Sequence, residues 1–383
     1  MLLTNSTVPP PETGHADTAH FFLLRGRSQI LRMQTVLIGL SALCDQTGAM
    51  DYLEYFLTSA TSLKKTPYLV LLASRSDVDV FQLSPQDLKG AALTYEYKIF
   101  GLPSRVFSTS DFSGRTVIAP ADVRLKVSAL ICRYLVENYA QIVLLSFVED
   151  SGQNYQRYFD IAIASNKKYW WTTQKREVGA TIILEKTVNA TLANLGKHTR
   201  RNLRYYRRKA EAELKCSFAG DVTNSLSKDH LIELNHASTH PVADHLLDRR
   251  YNCIKTLEGA FCVGVKSSDG QWISLLGGRR HHGVSEIDWQ LNRGGLGKYS
   301  VGTVIRAYLI EHEIKIGMSR LFFEGGTTHS IRQAFLAEMA MDIVVLNRSP
   351  FTLLLRTWSR RFRPTKPFLL QTLYDPALKW ELH

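Results

Sequence analysis

Between Val284 and Ser300 the chain reads VSEIDWQLNRGGLGKYS, an acidic strand-like run followed by a basic, glycine-rich loop. Period-two alternation predicts a strand over Val284–Leu291. It would turn Val284, Glu286, Asp288 and Gln290 to one face and Ser285, Ile287, Trp289 and Leu291 to the other. Two carboxylates on one sheet face can take a proton from an acceptor amine, directly or through a water. A solvated strand face alternates in the same way. The loop Asn292–Lys298 carries Gly294, Gly295 and Gly297 beside Arg293 and Lys298, and Ser300 is placed to cap a following helix. Such a loop offers unpaired N–H groups and the positive end of a helix dipole to a phosphate. Local sequence leaves phosphate binding and a plain turn equally open. Glu324 ends the apolar run Arg320–Glu324 beside Gly325 and Gly326. It either faces the same cleft or flanks a turn.

A second cluster is Lys197–Lys209 (KHTRRNLRYYRRK), with seven Lys/Arg and no acid. As a helix it sets Arg200, Arg204 and Arg207/Arg208 along one side, with Leu203 and Tyr206 interleaved. That stripe suits phosphates or an RNA backbone, whereas an ordinary solvated face carries mixed signs. His236 and His240 stand four apart near Asp244 and His245, but no HExxH motif or cysteine partner supports a metal, and none is expected. His281–His282 falls in a predicted turn and should be exposed. From Arg348 to Lys366 the tail has six Lys/Arg, no acid, and Leu353–Leu355, Trp358 and Phe362 among them. It suits contact with an anionic membrane or a synthase partner, or a docked terminal helix.

The elements that must hold these residues read as two α/β lobes. At 383 residues, 45% apolar and 21% charged, the chain is long enough for two globular cores. Residues 1–20 are polar and read as disordered, 21–185 form a first lobe, 186–347 a second, and 348–383 a basic extension. In the first, Pro67–Ala73, Ala92–Phe100 and Ser104–Ser108 read as strands. A helix over Ala121–Tyr139 and a strand over Gln141–Val148 follow. Strand, helix and strand joined closely predict a parallel pair. In the second, Ala260–Lys266, Gln271–Gly277 and Val284–Leu291 form an antiparallel meander. A helix from Ser300 to about Ile316 buries Val301, Val304, Ile305, Tyr308 and Leu309. Arg320–Glu324 should then lie parallel to Val284–Leu291. A helix over Ser330–Ala340 and a strand over Asp342–Asn347 complete this lobe. The lobes echo each other in element order.

Five scattered cysteines without CxxC spacing disfavour disulfide and metal frameworks, so a reducing, cytoplasmic setting is expected. No apolar run approaches the roughly 18 residues that span a bilayer, and no signal peptide is legible. The net charge of +12 favours a polyanionic ligand: a nucleotide-bearing donor, RNA or an anionic membrane face.

Leu195–Lys209 (LGKHTRRNLRYYRRK), followed by the meander, glycine loop, helix and strand ending in Glu324-Gly325-Gly326, resembles the BioF2-like GNAT acetyltransferases. These are also called cellulose-biosynthesis-type acetyltransferases and are related to the FemAB peptidyltransferases. Ser330–Phe335 (SIRQAF) is similar to the family's segment after its last parallel strand, with Arg332 where a Lys is usual. The resemblance covers about Leu195–Leu346 and, through element order, the first lobe. It implies a tandem GNAT-like fold with a mixed sheet, in which two parallel strands splay around an acyl thioester, acetyl-CoA or another acyl-CoA. Backbone groups near Gln290 and Leu291 would polarise its carbonyl. Arg293, Gly294, Gly295, Gly297, Lys298 and Ser300 would meet the pyrophosphate, and Asp288 or Glu286 would deprotonate an amine or hydroxyl acceptor. Arg200, Arg201, Arg204 and Arg332 would hold anionic groups. No Tyr stands between Ser330 and Met341, where many GNAT enzymes keep the acid for the thiolate, which leaves water or Tyr299. Three functions follow. One is acyl transfer from acyl-CoA to a small molecule, a saccharide or a lipid-linked acceptor, as in polysaccharide or cell-envelope biosynthesis. The second is FemAB-like aminoacyl transfer from charged tRNA. The third is a non-catalytic binding protein with a basic surface.

Overall fold

The structure, a computed structural model, describes residues 20–46, 49–62, 65–99, 102–109, 116–148, 169–324 and 336–347, with isolated positions to 357. The expected disorder of the N-terminus, Arg332, and nearly all of the basic extension lie outside the described residues. Two compact units form, Glu177–Met339 and the remainder of the chain.

The first unit is built on β1 (His20–Arg25), three helices α1 (Arg27–Arg32), α2 (Gln34–Leu43) and α3 (Ala49–Ser62), then β2 (Thr66–Ala73), β3 (Leu88–Ile99) and β4 (Leu102–Ser108). The short β5 (Val117–Ile118), α4 (Arg124–Asn138) and β6 (Ile142–Val148) follow. Successive strands β1 to β4 pair antiparallel, and β5 adds to β3. After the α4 crossover, β6 lies parallel to β4, with Val106 opposite Ile142, as strand–helix–strand order requires. Residues 67–73 of β2 are all buried, which is why that run shows no alternation. Val127, Ile131 and Tyr134 of α4 pack with Val70, Phe107 and Val143 in this unit's core. Each such fully buried apolar side chain stabilises by about 1.5–3 kcal/mol.

The end of the chain departs from expectation. Leu336–Ala340 are not helical but open the strand β13 (Leu336–Asn347), whose Ala340–Leu346 pair antiparallel with β6. Ile343 to Leu346 are buried there. From Ala340 onward the β6 edge supplies the ladder of backbone partners, a long-range pairing that outweighs local helix preference there.

The second unit contains the end of β7 (Tyr169–Ile183), then α5 (Val188–Ala193), α6 (Lys197–Glu213), β8 (Ser217–Ala219), α7 (Lys228–His236) and α8 (Asp244–Thr256). The meander β9 (Ala260–Lys266), β10 (Trp272–His281) and β11 (Val284–Asn292) is followed by α9 (Val301–Lys315) and β12 (Arg320–Glu324). Strand order is β7-β12-β11-β10-β9-β8, antiparallel except for the β11–β12 pair. The β10–β11 turn is the pair His282-Gly283 with φ of 44° and 76°, the left-handed geometry that matches hairpin twist. Helix α9 buries Val301, Val304, Ile305, Tyr308 and Leu309 on one sheet face with Ile287, Leu321 and Phe323. Helices α7 and α8 cover the other face, where Leu231, Leu247 and Ile254 pack with Leu275, Trp289 and Leu291. No helix among the described residues is long and apolar enough to cross a membrane.

Candidate active site

Parallel pairing of β11 with β12 runs from Val284↔Arg320 to Ile287↔Phe323 and stops. Beyond that point β11 continues to Asn292 along β10, while Glu324 pairs with Gly179 of β7. Among the described residues, which for β12 end at Glu324, Asp288–Asn292 have no partner on the β12 side; this end of the described pairing is the fork.

The fork coincides with a bulge. Gly277 of β10 opposes Trp289 and Gly278 opposes Ile287, so Asp288 is the extra residue. A bulge bends and over-twists its strand, so β11 changes direction where its described pairing with β12 ends. Both glycines are needed for space. A Cβ on Gly277 would lie 2.4 Å from the Trp289 indole, and one on Gly278 only 1.8 Å from the Glu286 carbonyl oxygen.

The bulge also overturns the simple alternation. Glu286 and Asp288 do share the α8 face, but Trp289 joins them there, packed among Leu275 and Leu247. Gln290 turns to the α9 face, where its Oε1 accepts from Arg306 Nε at 3.2 Å. One extra residue shifts the two-residue period by half a cycle, which sequence spacing cannot register.

At the fork, Arg249 of α8 donates from Nη2 to Asp288 Oδ1 at 3.0 Å, both side chains being under one-fifth exposed. Glu324 is hydrogen-bonded to Asp288. Burial, then the Asp288 charge and that bond, hold the Glu324 carboxyl well above the usual range, against the pull of Arg249. Glu324 thus holds its proton more tightly than a free glutamate does. Glu286 stands behind it, with Arg279 Nη2 at 3.4 Å and His281 Nε2 at 3.2 Å. His281 is consequently not exposed as the turn position suggested. It is the last residue of β10, with its side chain 9% exposed toward Glu286, and only His282 lies out in the turn.

On the α9 face, Arg306 lies 5.1 Å from the Phe323 ring centroid, and burial lowers its guanidinium to about 10. The glycine loop is partly committed. Arg293 bonds the Trp272 carbonyl and Glu233, and the Gly294 amide donates to the Ala237 carbonyl at 2.6 Å. The amides of Gly295, Gly297, Val301 and Gly302 make no hydrogen bond among the described residues. Ser300 does precede α9, but in a left-handed conformation, φ 47°, with its hydroxyl on Thr303 Oγ1 rather than on a backbone amide. Lys298 lies over the Tyr299 ring at 4.7 Å and 3.8 Å from Glu213. Tyr299 is buried in the α9-side core, and its contacts are with Lys298, Lys209 and Leu296 rather than with the carboxylates. Leu291 packs into the α8-side core.

On α6, Arg201 and Arg204 are exposed, Arg204 reaching Asn189 at 3.1 Å, and Arg200 is half-buried. Arg207 instead pairs with Glu211 and Glu311 and lies over Tyr308 at 4.2 Å. The expected basic stripe therefore loses Arg207 to acids that come from α6 itself and from α9. No group of three His, Cys, Asp or Glu is placed to hold a metal among the described residues.

Sequence spacing did not single out Arg249, Arg250 or Arg306. A dibasic pair on a helix whose Leu247, Cys253 and Ile254 face a core is the one signal that was available. Gly277-Gly278 inside a strand was the signal for the bulge.

Neither a protein-family model nor a curated protein matches the chain. Solved structures do. FemX matches over 75% of this chain and 90% of its own, with a TM-score of 0.51 at 9% identity. The chain has the FemX fold. Also similar are a tandem GNAT protein from the clavulanic acid biosynthesis pathway (TM-score 0.49, 9% identity, 86% of this chain and 99% of that one) and L-PGS from Bacillus licheniformis (0.44, 11%, 68% and 83%). The mixed α/β, GNAT-like fold inferred from the sequence resemblance is the fold observed, and β4–α4–β6 and β11–α9–β12 repeat one parallel crossover unit in the two halves of this FemX-like chain.

Proposed function

We propose that the protein is an acyltransferase that takes an acetyl or other acyl group from acyl-CoA and delivers it to an amine or hydroxyl on a small molecule, saccharide or lipid-linked acceptor. The observation that carries this reading is the fork after Ile287 and Phe323, with the Asp288–Glu324 pair at its mouth. The donor lies on the α9 side. Its phosphates meet the amides of Gly295, Gly297, Val301 and Gly302 with Lys298 alongside, at the positive end of α9. Its acyl carbonyl enters the fork against the β11 edge near Gln290 and Leu291, which has no strand partner on that side among the described residues, and backbone N–H groups there stabilise the developing oxyanion. Arg306 adds positive charge on that side.

The acceptor comes from the α8 side, where the bulge has turned Asp288. Its nitrogen or oxygen bonds to the acyl carbon as its proton passes to the carboxylate of the Asp288–Glu324 pair, held in place by Arg249. The carbon–sulfur bond then breaks, and the thiolate takes a proton from water or from the pair. Positioning of the two reactants across the fork supplies much of the rate. The sequence resemblance to the BioF2-like acetyltransferases supports the same reading. The exposed Arg201 and Arg204 favour charged tRNA as the alternative donor.

The test is a melting experiment on the full chain with coenzyme A, followed by transfer assays with acetyl-CoA. A hundredfold excess over the dissociation constant should stabilise the protein by about 2.7 kcal/mol. Asp288→Asn should bind coenzyme A normally and lose about 10²–10⁴-fold in kcat. Absence of any melting shift with CoA thioesters, together with salt-sensitive tRNA binding lost in an Arg201→Ala, Arg204→Ala double variant, would move the donor to tRNA. Failure of both donors would leave a binding protein.

A further inference from the structure

Next to the catalytic pair stands a cation that the chemistry above does not use. Arg250 follows Arg249 on α8, and its guanidinium lies 5.4 Å from the Trp289 ring centroid. Among the described residues it makes no hydrogen bond, and Nη1 is shut off from solvent without a partner. Burial lowers this guanidinium to about 10, with Asp288 pulling it up and Arg249 pushing it down. Guanidinium has five donors in a planar fork, and on this half-buried side chain Nη1 is buried with nothing to donate to.

Charge accounting around the fork shows why. Arg279 faces Glu286, and Arg249 faces the Asp288–Glu324 pair. Arg249 thus has its hydrogen-bonded partner in Asp288. Among the described residues Arg250 has no hydrogen-bonded acid; the Trp289 indole face lies beside it on the acceptor side of the sheet, and Asp288 attracts it only through its charge. Trp289 is itself fixed by Gly277, whose missing side chain leaves room for the ring. A half-buried charge without a hydrogen-bonded counterion is costly to the fold, and it is rationalised by an anion that arrives with a ligand.

We propose that Arg250 is the binding residue for a singly anionic group, a carboxylate or a phosphoryl oxygen, on the acceptor, so that the acceptor is an anionic amine or alcohol. This rests on the acyl-transfer reading for the word acceptor, but not for the anion site itself. The anion sits against the guanidinium fork and the Trp289 face, which sets the nucleophile toward Asp288. Arg249 is not available for this task, since removing it from Asp288 would strand a buried carboxylate.

The experiment uses the full chain, wild type and Arg250→Gln, at constant ionic strength, with acetate and inorganic phosphate as probes. In buffer without either, Arg250→Gln should melt higher than wild type, because a half-buried charge without a hydrogen-bonded counterion has gone. A purely structural arginine would give the opposite sign, and a lower melting point overturns the proposal. Acetate or phosphate should raise the wild-type melting point saturably in the presence of excess coenzyme A, which occupies the donor loop. The apparent affinity should be about tenfold or more weaker in Arg250→Gln, the worth of a charge-assisted hydrogen bond. Arg250→Lys should fall between. Equal anion responses in wild type and Arg250→Gln also overturn it. A phosphate or acetate response lost in Arg250→Gln while coenzyme A gives no shift keeps the anion site and removes the acyl-CoA reading. With an active enzyme, Arg250→Gln should raise KM for carboxylate-bearing acceptors and leave KM for their amidated analogues unchanged.

Discussion

Glutamine at position 324 isolates the energetics of the proton held at the fork. Burial and the Asp288 charge favour the protonated form of Glu324, so its folded-state pKa lies above the value near 4.5 expected when the chain is unfolded. An acid with a raised folded pKa binds its proton more tightly in the folded state. Below the unfolded pKa both states are protonated and the shift has no effect. As pH rises above about 4.5 the unfolded chain ionises while the folded one does not, and stability falls by up to about 1.4 kcal/mol per pH unit. The fall ends at the folded pKa. Glu324→Gln removes this slope while preserving the shape of the group and one donor toward Asp288. The assay is urea denaturation of wild type and variant at half-unit steps from pH 4 to 9. Subtracting the two curves cancels every other titrating group. The variant should gain on wild type steadily from about pH 4.5 and then level off, and the levelling point reads the folded pKa directly. A difference that is flat with pH, or that shrinks as pH rises, would refute the raised Glu324 pKa and with it the assignment of Asp288 as the ionised base. In an Asp288→Asn background the raising charge is gone, so the window should narrow toward 4.5.

Two further outcomes follow from the same unit. Gly278→Ala places a Cβ 1.8 Å from the Glu286 carbonyl oxygen, so it should destabilise by about 3 kcal/mol or more and abolish transfer, whereas Gly297→Ala meets nothing within 4 Å and should stay within about 0.5 kcal/mol by urea denaturation. Glu313 is fully buried and accepts from Arg280 at 2.9 and 2.7 Å, from Ser285 and from His312; burial would raise its pKa, but the His312, Arg280 and Ser285 bonds prevail and lower it to about 2. Its depressed pKa stabilises by roughly 3 kcal/mol above pH 4.5, and that contribution drains away between about pH 4.5 and 2. Glu313→Gln should flatten that acid limb in urea titrations, and an unchanged limb would discount the network.

Much of the second unit was legible without coordinates, and the reason is locality. The meander, the α9 stripe ended by Gly317 and the parallel return of Arg320–Glu324 each follow from spacing within a few residues or from one short crossover. The residue types needed for acid–base work, Asp288, Glu286 and Glu324, stood out for the same reason. What sequence could not supply was register between distant strands. The offset of Gly277-Gly278 against Ile287-Trp289 decides which face Asp288, Trp289 and Gln290 take, and it exists only when β10 and β11 are paired. The described β11–β12 pairing ends at that bulge, again a matter of long-range register. Arg249 and Arg250 reach the fork from a helix some forty positions earlier in the chain, a proximity that no periodicity encodes. Ala340, expected at the end of a helix, is instead paired in a strand with Val148 of β6, a partner almost two hundred positions away. Short-range spacing thus named the elements and the candidate acids. Long-range pairing, through the register of one bulge, chose the face each acid occupies, the cation that holds it and the opening beside it.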